Sequence, residues 1–308
     1  MKKAIVFGSF VVDLMARAPH LPAPGETVKG SMFAQGPGGK GFNQAVAAKR
    51  AGASVLMATK LGKDSLASIA YDKLKSENMS TQCIFETDKA STGTAIIMVD
   101  EKTSQNQIVV TSGACDTFDE SDIQKIVPHI KECNFLLTQL ETNIDAVEHI
   151  ICEAKKNDVF VILNPAPVQK IDDELYKKID IITPNEVEAS ILTGIKINNE
   201  ADATKAAGVF LEKGVKSVII TLGKKGALVT DGKKYKIIDN YDVDVLDTTG
   251  AGDAFNGGLL AALCEGMDIW KASRFANVVS NLAVTHLGTA NAMPSRQEID
   301  EFIKKHNI

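Results

Sequence analysis

Several chemical signatures are missing from this sequence, and each absence removes a class of protein. The five cysteines, Cys83, Cys115, Cys133, Cys152 and Cys264, are odd in number and far apart, and no two form a CxxC pair. That spacing gives neither a disulfide framework nor a zinc site, and it fits reduced thiols in the cytoplasm. No stretch approaches the ~18 consecutive apolar residues needed to cross a bilayer. Positive charge is not in excess either: 34 basic side chains are interspersed with 39 acidic ones, for a net charge of −5. No broad basic field is therefore expected for nucleic acid or for an anionic membrane. The opening Met1-Lys2-Lys3 and the apolar run behind it imitate an export signal, yet Gly8, Ser9 and Asp13 interrupt that run. A first strand is expected there instead. Internal repeats and low-complexity segments are absent. His20, His129, His149 and His306 lack metal-ligand spacing, so surface or loop roles are expected for them.

What is present is ordinary globular composition. The chain has 308 residues, 44% hydrophobic and 24% charged, enough to bury a large core as one domain spanning 1–308. Runs rich in β-branched residues at 4–7, 55–59, 135–137, 159–163, 179–183 and 217–221 read as strands buried on both faces. Helical patterns lie between them at 42–51, 143–156, 185–192 and 200–213, with Gly52, Gly194 and Gly214 as stops. This alternation predicts a three-layer α/β/α fold with a mainly parallel central sheet. Two stretches break the rhythm. Residues 12–38 carry Pro19, Pro22, Pro24 and Gly25, with short extended runs at 27–29 and 31–34. Residues 94–99 and 107–111, around the polar turn 100–106, read as a hairpin. Together, about 12–38 and 94–112, they are expected to form a small protruding β-sheet lid. It would shield the strand ends where ligands of α/β sheets bind. Beyond Gly252 the chain turns helical at 253–264, 269–285 and 295–305.

Four short runs carry the chemistry. Asp247-Thr248-Thr249-Gly250-Ala251-Gly252-Asp253 opens a helix, so its small residues sit where backbone N–H groups are unsatisfied and the helix dipole is positive. A carboxylate there would repel a phosphate, which a purely anion-binding role leaves unexplained. A general base taking the proton of an attacking hydroxyl explains Asp253, although the dipole alone also favours an acid in a first turn. Asn185 and Glu188, three apart at another helix start, are placed either to hold a hydrated Mg²⁺ or to form a capping box. Thr221-Leu222-Gly223-Lys224-Lys225-Gly226 follows a strand and offers amides and a hydroxyl to nucleotide phosphates, or else makes a plain β-turn. Gly36-Pro37-Gly38-Gly39-Lys40-Gly41-Phe42-Asn43-Gln44-Ala45 lacks the Gly-Lys-Ser/Thr ending of a P-loop. Its amides, Lys40 and Asn43 suit a polyhydroxylated ligand, or form a flexible loop before an ordinary helix start. Gly8-Ser9 is not followed by GxGxxG, which speaks against a nicotinamide dehydrogenase.

These runs in this order, with Gly8-Ser9 and Asp13 after the first strand, resemble the ribokinase-like (PfkB) carbohydrate kinases over nearly the whole chain. Gly38 to Ala45 looks like the family's first signature, and Asp247 to Asp253 with Phe255-Asn256-Gly257 looks like the second. Leu163-Asn164-Pro165-Ala166-Pro167 is similar to the family as well. The resemblance implies an ATP-dependent kinase for the terminal hydroxyl of a pentose, D-ribose first, with 2-deoxyribose, a nucleoside or a hexose as alternatives. A non-catalytic sugar- or nucleotide-binding regulator would have little need of the complete set of residues.

Position by position, the resemblance implies that Asp253 is the base and that the amides of Gly250, Ala251 and Gly252 form an anion hole. It implies a sugar site lined by Asp13, Gly39, Lys40, Gly41, Asn43 and Glu141, and Mg²⁺ organised through water by Asn185 and Glu188. The nucleotide site would take Asn185, Thr221, Leu222, Gly223, Lys224, Lys225, Gly226, Gly252 and Asn277. A monovalent cation, K⁺, would lie against Asp247, Thr249, Ala283, His286, Gly288 and Ala292, and the lid would pair across a homodimer. Two positions depart from the pattern. Val11 stands where bacterial members often carry Asn, and Phe42 replaces a more usual Ala, either narrowing the pocket or packing in the core.

Overall fold

The structure is a computed structural model that describes residues 2–103 and 105–308. Met1, and Ser104 in the expected turn 100–106, lie outside the described residues. The first half contains β1 (Lys3–Phe7), β2 (Val11–Ala18), β3 (Met32–Gly38), α1 (Lys40–Arg50), β4 (Ser54–Gly62), α2 (Ala67–Ser76), β5 (Cys83–Thr87), β6 (Gly93–Asp100) and β7 (Asn106–Thr111). Then follow α3 (Glu120–Ile130), β8 (Phe135–Thr138), α4 (Ile144–Lys156), β9 (Phe160–Leu163), α5 (Asp173–Tyr176), β10 (Ile181–Ile182), α6 (Glu186–Thr193) and α7 (Glu200–Glu212). The chain closes with β11 (Ser217–Thr221), β12 (Ala227–Thr230), β13 (Tyr235–Ile238), α8 (Ala251–Cys264), α9 (Ile269–Ala283) and α10 (Arg296–His306).

One sheet runs in the order β13-β12-β11-β10-β9-β8-β1-β4-β5. Neighbours from β11 to β5 are parallel, and β12 and β13 add an antiparallel edge. Its strands are apolar on both sides because each side faces helices. Val6, Ile162 and Ile219 enter a core shared with α1, α8 and α9, whereas Ile5, Val161 and Val218 enter a second core shared with α3, α4 and α7. Residues one apart thus serve opposite layers, as the period of two in a strand dictates. Burial of one such aliphatic side chain contributes about 1.5–3 kcal/mol, so a register slip of one residue would forfeit both cores at once.

The expected strands and helices are present, with shifts at their ends. The strand expected at 179–183 is only Ile181–Ile182. Asp180 interrupts it: its carboxylate accepts the Val161 N–H at 2.8 Å and the Lys155 ammonium at 2.7 Å, so a side chain replaces part of the ladder. The run 27–29 forms no strand; pairing begins where Ser31 N–H donates to Arg17 O, after the proline-bearing segment. The sequence reading passed over α2, α3, α5, β5, β12 and β13. β12 and β13 have four residues each, too few repeats for a period of two to stand out. In α3 the interior Pro128 obscures a helix that Asp119 and Asp122 open with a capping box.

A separate four-stranded sheet has the order β3-β2-β6-β7. β2 pairs with β3 antiparallel and with β6 parallel, and β6 and β7 are the expected hairpin. Asp13 sits in β2 opposite Gly36 and Ala95, near the root of this sheet.

What brings α1 to the end of β1 is the absence of side chains. A Cβ on Gly41 would lie 2.7 Å from the Gly8 carbonyl carbon and 2.8 Å from Ser9 N, closer than such atoms approach. Gly41→Ala is therefore expected to lower stability by about 1–3 kcal/mol, the usual range for overpacking, measured by urea unfolding. Unchanged stability would show that this contact relaxes freely.

Candidate active site

Five adjacent parallel strands end on one side of the large sheet, in the order β1, β8, β9, β10, β11. The segments after them carry, in that order, Ser9, Glu141, Asn164, Asn185 and Gly223. Sequence positions far apart therefore become a row across the sheet, and α8 lies over the middle of that row with its first turn.

Asp253, in that first turn, is buried. Its Oδ2 accepts from Asn43 Nδ2 at 3.0 Å and its Oδ1 accepts from Gln44 Nε2 at 2.9 Å. Gln44 is itself fixed: the same Nε2 donates to Asn164 Oδ1 at 3.0 Å, and its Oε1 accepts from Gln139 Nε2 at 2.6 Å. The sequence reading quoted Gln44 but did not give it a role, because consecutive helix residues do not normally face one partner. Only the crossing of α8 over α1 lets both amides reach one carboxylate. Burial pushes the Asp253 carboxyl above its ordinary range, opposed by the Lys40 ammonium and by the two amides. A buried carboxylate with a raised pKa is a better proton acceptor than a solvated one.

Beside it lie the amides of the glycine run. Gly250 precedes α8 in a left-handed conformation. Ala251 N–H donates to Thr248 O at 3.2 Å, whereas Gly250, Gly252 and Asp253 N–H have no acceptor among the described residues. Of the three amides expected in an anion hole, two are thus free and the third is engaged.

On one side of Asp253 the chain gathers groups suited to hydroxyls. Glu141 Oε2 accepts from Ser9 Oγ at 2.5 Å and from Lys40 N at 2.8 Å, which ties the end of β8 to the start of α1. Asp13 Oδ2 accepts from Thr289 Oγ1 at 3.0 Å. Burial raises the Asp13 carboxyl to about 6, aided by repulsion from Glu141 and Asp253 and opposed by the Thr289 hydrogen bond. Burial depresses the Lys40 ammonium, but the carboxylates of Asp253, Glu141 and Glu188 outweigh it and the net shift is upward. Asn43 Oδ1 is a buried acceptor with no partner, and its orientation is set because its Nδ2 is committed to Asp253. A buried acceptor left open in this way calls for a donor such as a ligand hydroxyl. Gly39 and Gly41 belong to the same turn, held against the end of β1.

On the other side opens a cavity of about 690 Å³. Asn185, Thr221, Gly223, Lys224, Gly226, Gly252 and Asn277 of the expected nucleotide set line it. Leu222 does not: it is buried in the second core, while Lys225 stays outside the lining. Tyr241, Val243, Val245 and Val284 supply apolar walls that no motif had signalled. Asn277 Nδ2 donates to Ile238 O and Asp239 O, both at 3.1 Å, and so holds the segment that carries Tyr241.

Asn185 and Glu188 form the capping box that was one of their two readings. Asn185 Oδ1 accepts Glu188 N–H at 2.8 Å, and Glu188 Oε2 accepts Asn185 N–H at 2.9 Å. Burial raises the Glu188 carboxyl above its ordinary range, opposed by the Asn185 N–H and the Lys40 ammonium and aided by the charge of Asp253. Farther along, Asp247 Oδ1 accepts Thr249 N–H at 2.9 Å and Oδ2 accepts Gly288 N–H at 3.0 Å. Leu246 and Asp247 N–H both donate to Val284 O. Asp247, Thr249, Ala283, His286, Gly288 and Ala292 therefore belong to two segments held side by side, with His286 exposed and the Ala283 carbonyl accepting its N–H. Phe42 is fully buried and packs edge-on against Phe10 at 4.9 Å, so it fills the core rather than the pocket. Val11 is buried too, against Gly93. Of the four other histidines, His20 and His306 are exposed and His129 and His149 are half-buried, His149 pairing on α4 with Glu120 and Glu153.

A buried carboxylate, free amides at a helix N-terminus, a cavity on one side and charged and polar groups on the other suit a small-molecule kinase on a three-layer α/β fold. The comparisons agree. Residues 1–296 match the model of the pfkB family carbohydrate kinases, and the chain belongs to that family. It is 43% identical over 305 residues to the ribokinase of Haemophilus influenzae, covering 99% of each chain. It superposes on a ribokinase from Thermotoga maritima with a TM-score of 0.90 at 33% identity, covering 99% of this chain and 100% of the other. An Arabidopsis thaliana ribokinase solved with ribose and ATP gives a TM-score of 0.90 at 28% identity, with 98% and 99% covered. The chain is a carbohydrate kinase.

Asp13 provides a direct check on this geometry. Its carboxyl should titrate near pH 6, anionic and able to accept two hydrogen bonds above that value and protonated below it. Carboxyl ¹³C NMR compared with Asp13→Asn reads the midpoint, and a midpoint close to 4 would contradict the burial described.

Proposed function

We propose that this protein is an ATP-dependent ribokinase, which transfers the γ-phosphoryl group of Mg-ATP to O5 of D-ribose and yields D-ribose 5-phosphate and ADP. The observation that carries this reading is the placement of the Asp253 carboxylate between the free amides of α8 and the open Asn43 acceptor. A sugar held by Asp13, Asn43, Glu141 and the Gly39-Lys40-Gly41 turn would direct its terminal hydroxyl at Asp253. The carboxylate takes the hydroxyl proton as the oxygen attacks the γ-phosphorus, and the bond to the β-phosphate oxygen breaks. Gly250 and Gly252 N–H groups stabilise charge on the phosphoryl oxygens during transfer. Lys40, kept cationic by three carboxylates, adds to the same field.

The oxygen donors of Asn185 and Glu188 fit a hard cation, and because both are engaged in the capping box they would hold Mg²⁺ through its water shell. Bound Mg²⁺ supplies charge neutralisation between the nucleotide phosphates. K⁺ would lie between the two segments joined by Asp247 and would stiffen the segment that leads into the anion hole. The four-stranded sheet would act as a lid that excludes water and suppresses ATP hydrolysis. One of its faces exposes Phe33, Ile96 and Val109 and the other Ile108 and Val110, more apolar surface than an isolated lid tolerates in water. Pairing of two lids in a homodimer would cover it. The five free thiols support a cytoplasmic setting.

Asp253→Asn should lower kcat by about 10³-fold or more while ATP and sugar still bind, the pattern of a lost base. Turnover close to wild type would remove Asp253 from the reaction. Substrate choice is read by coupled ADP release over ribose, 2-deoxyribose, fructose, adenosine and pseudouridine, with and without K⁺. Ribose with K⁺ is expected to give the highest kcat/KM; a higher value for any other acceptor would reassign the substrate.

A further inference from the structure

Outside the motifs, one residue joins the parts of this site. Thr289 lies in the segment between α9 and α10, and no motif singled it out. Its hydroxyl is 3.0 Å from Asp13 Oδ2 and 3.2 Å from the Pro37 carbonyl oxygen. Asp13 and Pro37 stand on β2 and β3, the two strands at the root of the small sheet. Both are acceptors and the hydroxyl has one proton, so it goes to the carboxylate, the stronger acceptor when ionised.

The segment that carries Thr289 is held at both ends. Before it, Gly288 N–H donates to Asp247 Oδ2, on the run leading to the anion hole. After it, Arg50 Nη1 donates to Asn291 O at 3.2 Å and to Met293 O at 2.5 Å. Arg50 is in turn paired with Glu77 at 2.7 Å. Thr289 also lies against Gly250: a Cβ built there would be 3.5 Å from the Thr289 Cα.

We propose that Thr289 is a positioning residue for the acceptor: its hydroxyl fixes the Asp13 carboxylate for the sugar and couples it to the Asp247–Gly250 run. The inference rests on the reading of the site as a sugar kinase. Asp13 has little else to orient it. Its other charged neighbours, Glu141 and Asp253, repel it, and the Thr289 bond is the one that favours its ionised form.

Thr289→Val keeps the side-chain shape and removes the hydroxyl, and Thr289→Ser restores the hydroxyl. Wild-type kinetics with ribose come first. With ribose turnover established, Thr289→Val is expected to raise KM for the sugar about tenfold, the usual scale for a hydrogen bond to a charged group, with KM for ATP unchanged. Thr289→Ser should return the sugar KM to within about twofold of wild type, since it keeps that same bond. The acid limb of kcat/KM for the sugar should move to higher pH in Thr289→Val, because the bond that holds Asp13 ionised is gone. A purely structural role would move thermal stability and both KM values together and would leave the pH limb in place. That pattern, or a Thr289→Val enzyme with wild-type sugar KM, would overturn the proposal. A wild-type protein that turns over no sugar would instead remove the kinase reading beneath it.

Discussion

The hydrogen bonds that Asn43 and Gln44 give to Asp253 are the interaction on which the rest of this site depends. A carboxylate is costly to bury, and two amides and one ammonium offset that cost without neutralising it. The bonds exist because α1 and α8 cross closely. Gly257 makes the crossing possible: a Cβ there would lie 2.4 Å from Ala47 Cβ and 2.7 Å from Gln44 O. Small residues on both helices thus set the position of the Asp253 carboxylate. The same crossing places the free amides of α8 beside it, so carboxylate and amides are fixed by one packing contact.

From this centre the site spreads along the strand order. The segments after β1 and β8 contribute the charged, polar side, those after β10 and β11 contribute the cavity, and the one after β9 supplies Asn164, which steadies Gln44 between them. Each side has its own character. Toward β1 the lining is charged and polar, with Asp13, Lys40, Glu141 and the open Asn43 oxygen. Toward β11, Tyr241, Val243, Val245 and Val284 add apolar walls to a cavity that Asn185, Thr221, Lys224 and Asn277 line as well. The passage between the two sides runs by the N-terminus of α8. Asp247 and Thr289 brace that passage from behind, by hydrogen bonds to segments of distant sequence.

Much of this was legible in the sequence. Alternating strands and helices gave the layers, because helices on both faces require strands that are apolar throughout. Gly-rich runs at helix starts gave the phosphate-handling segments, because free amides and a positive dipole are local properties of a helix end. Other features were hidden for physical reasons. Asn185 and Glu188 carried two readings that one spacing serves equally well, and the structure realises the capping box while Asn185 lines the cavity. Leu222 sits in a run of candidate contacts yet points into the core, as alternation in an extended segment allows. Gln44 and Thr289 act through partners 209 and 276 residues away, and no local pattern reports such pairs.

The sequence by itself determined the layered α/β architecture, the helix starts with their free amides, and the presence of a carboxylate, Asp253, in the first turn of one of them. These follow from periodicity, composition and the chemistry of single helix ends, all of which are local. Tertiary structure alone decided which amides clamp Asp253, which side of the Asn185–Glu188 pair faces the site, and that a threonine outside every motif meets Asp13. The reason is geometric. Those contacts depend on how helices cross and on which strands lie adjacent, and both are settled by packing of the two cores rather than by neighbours along the chain.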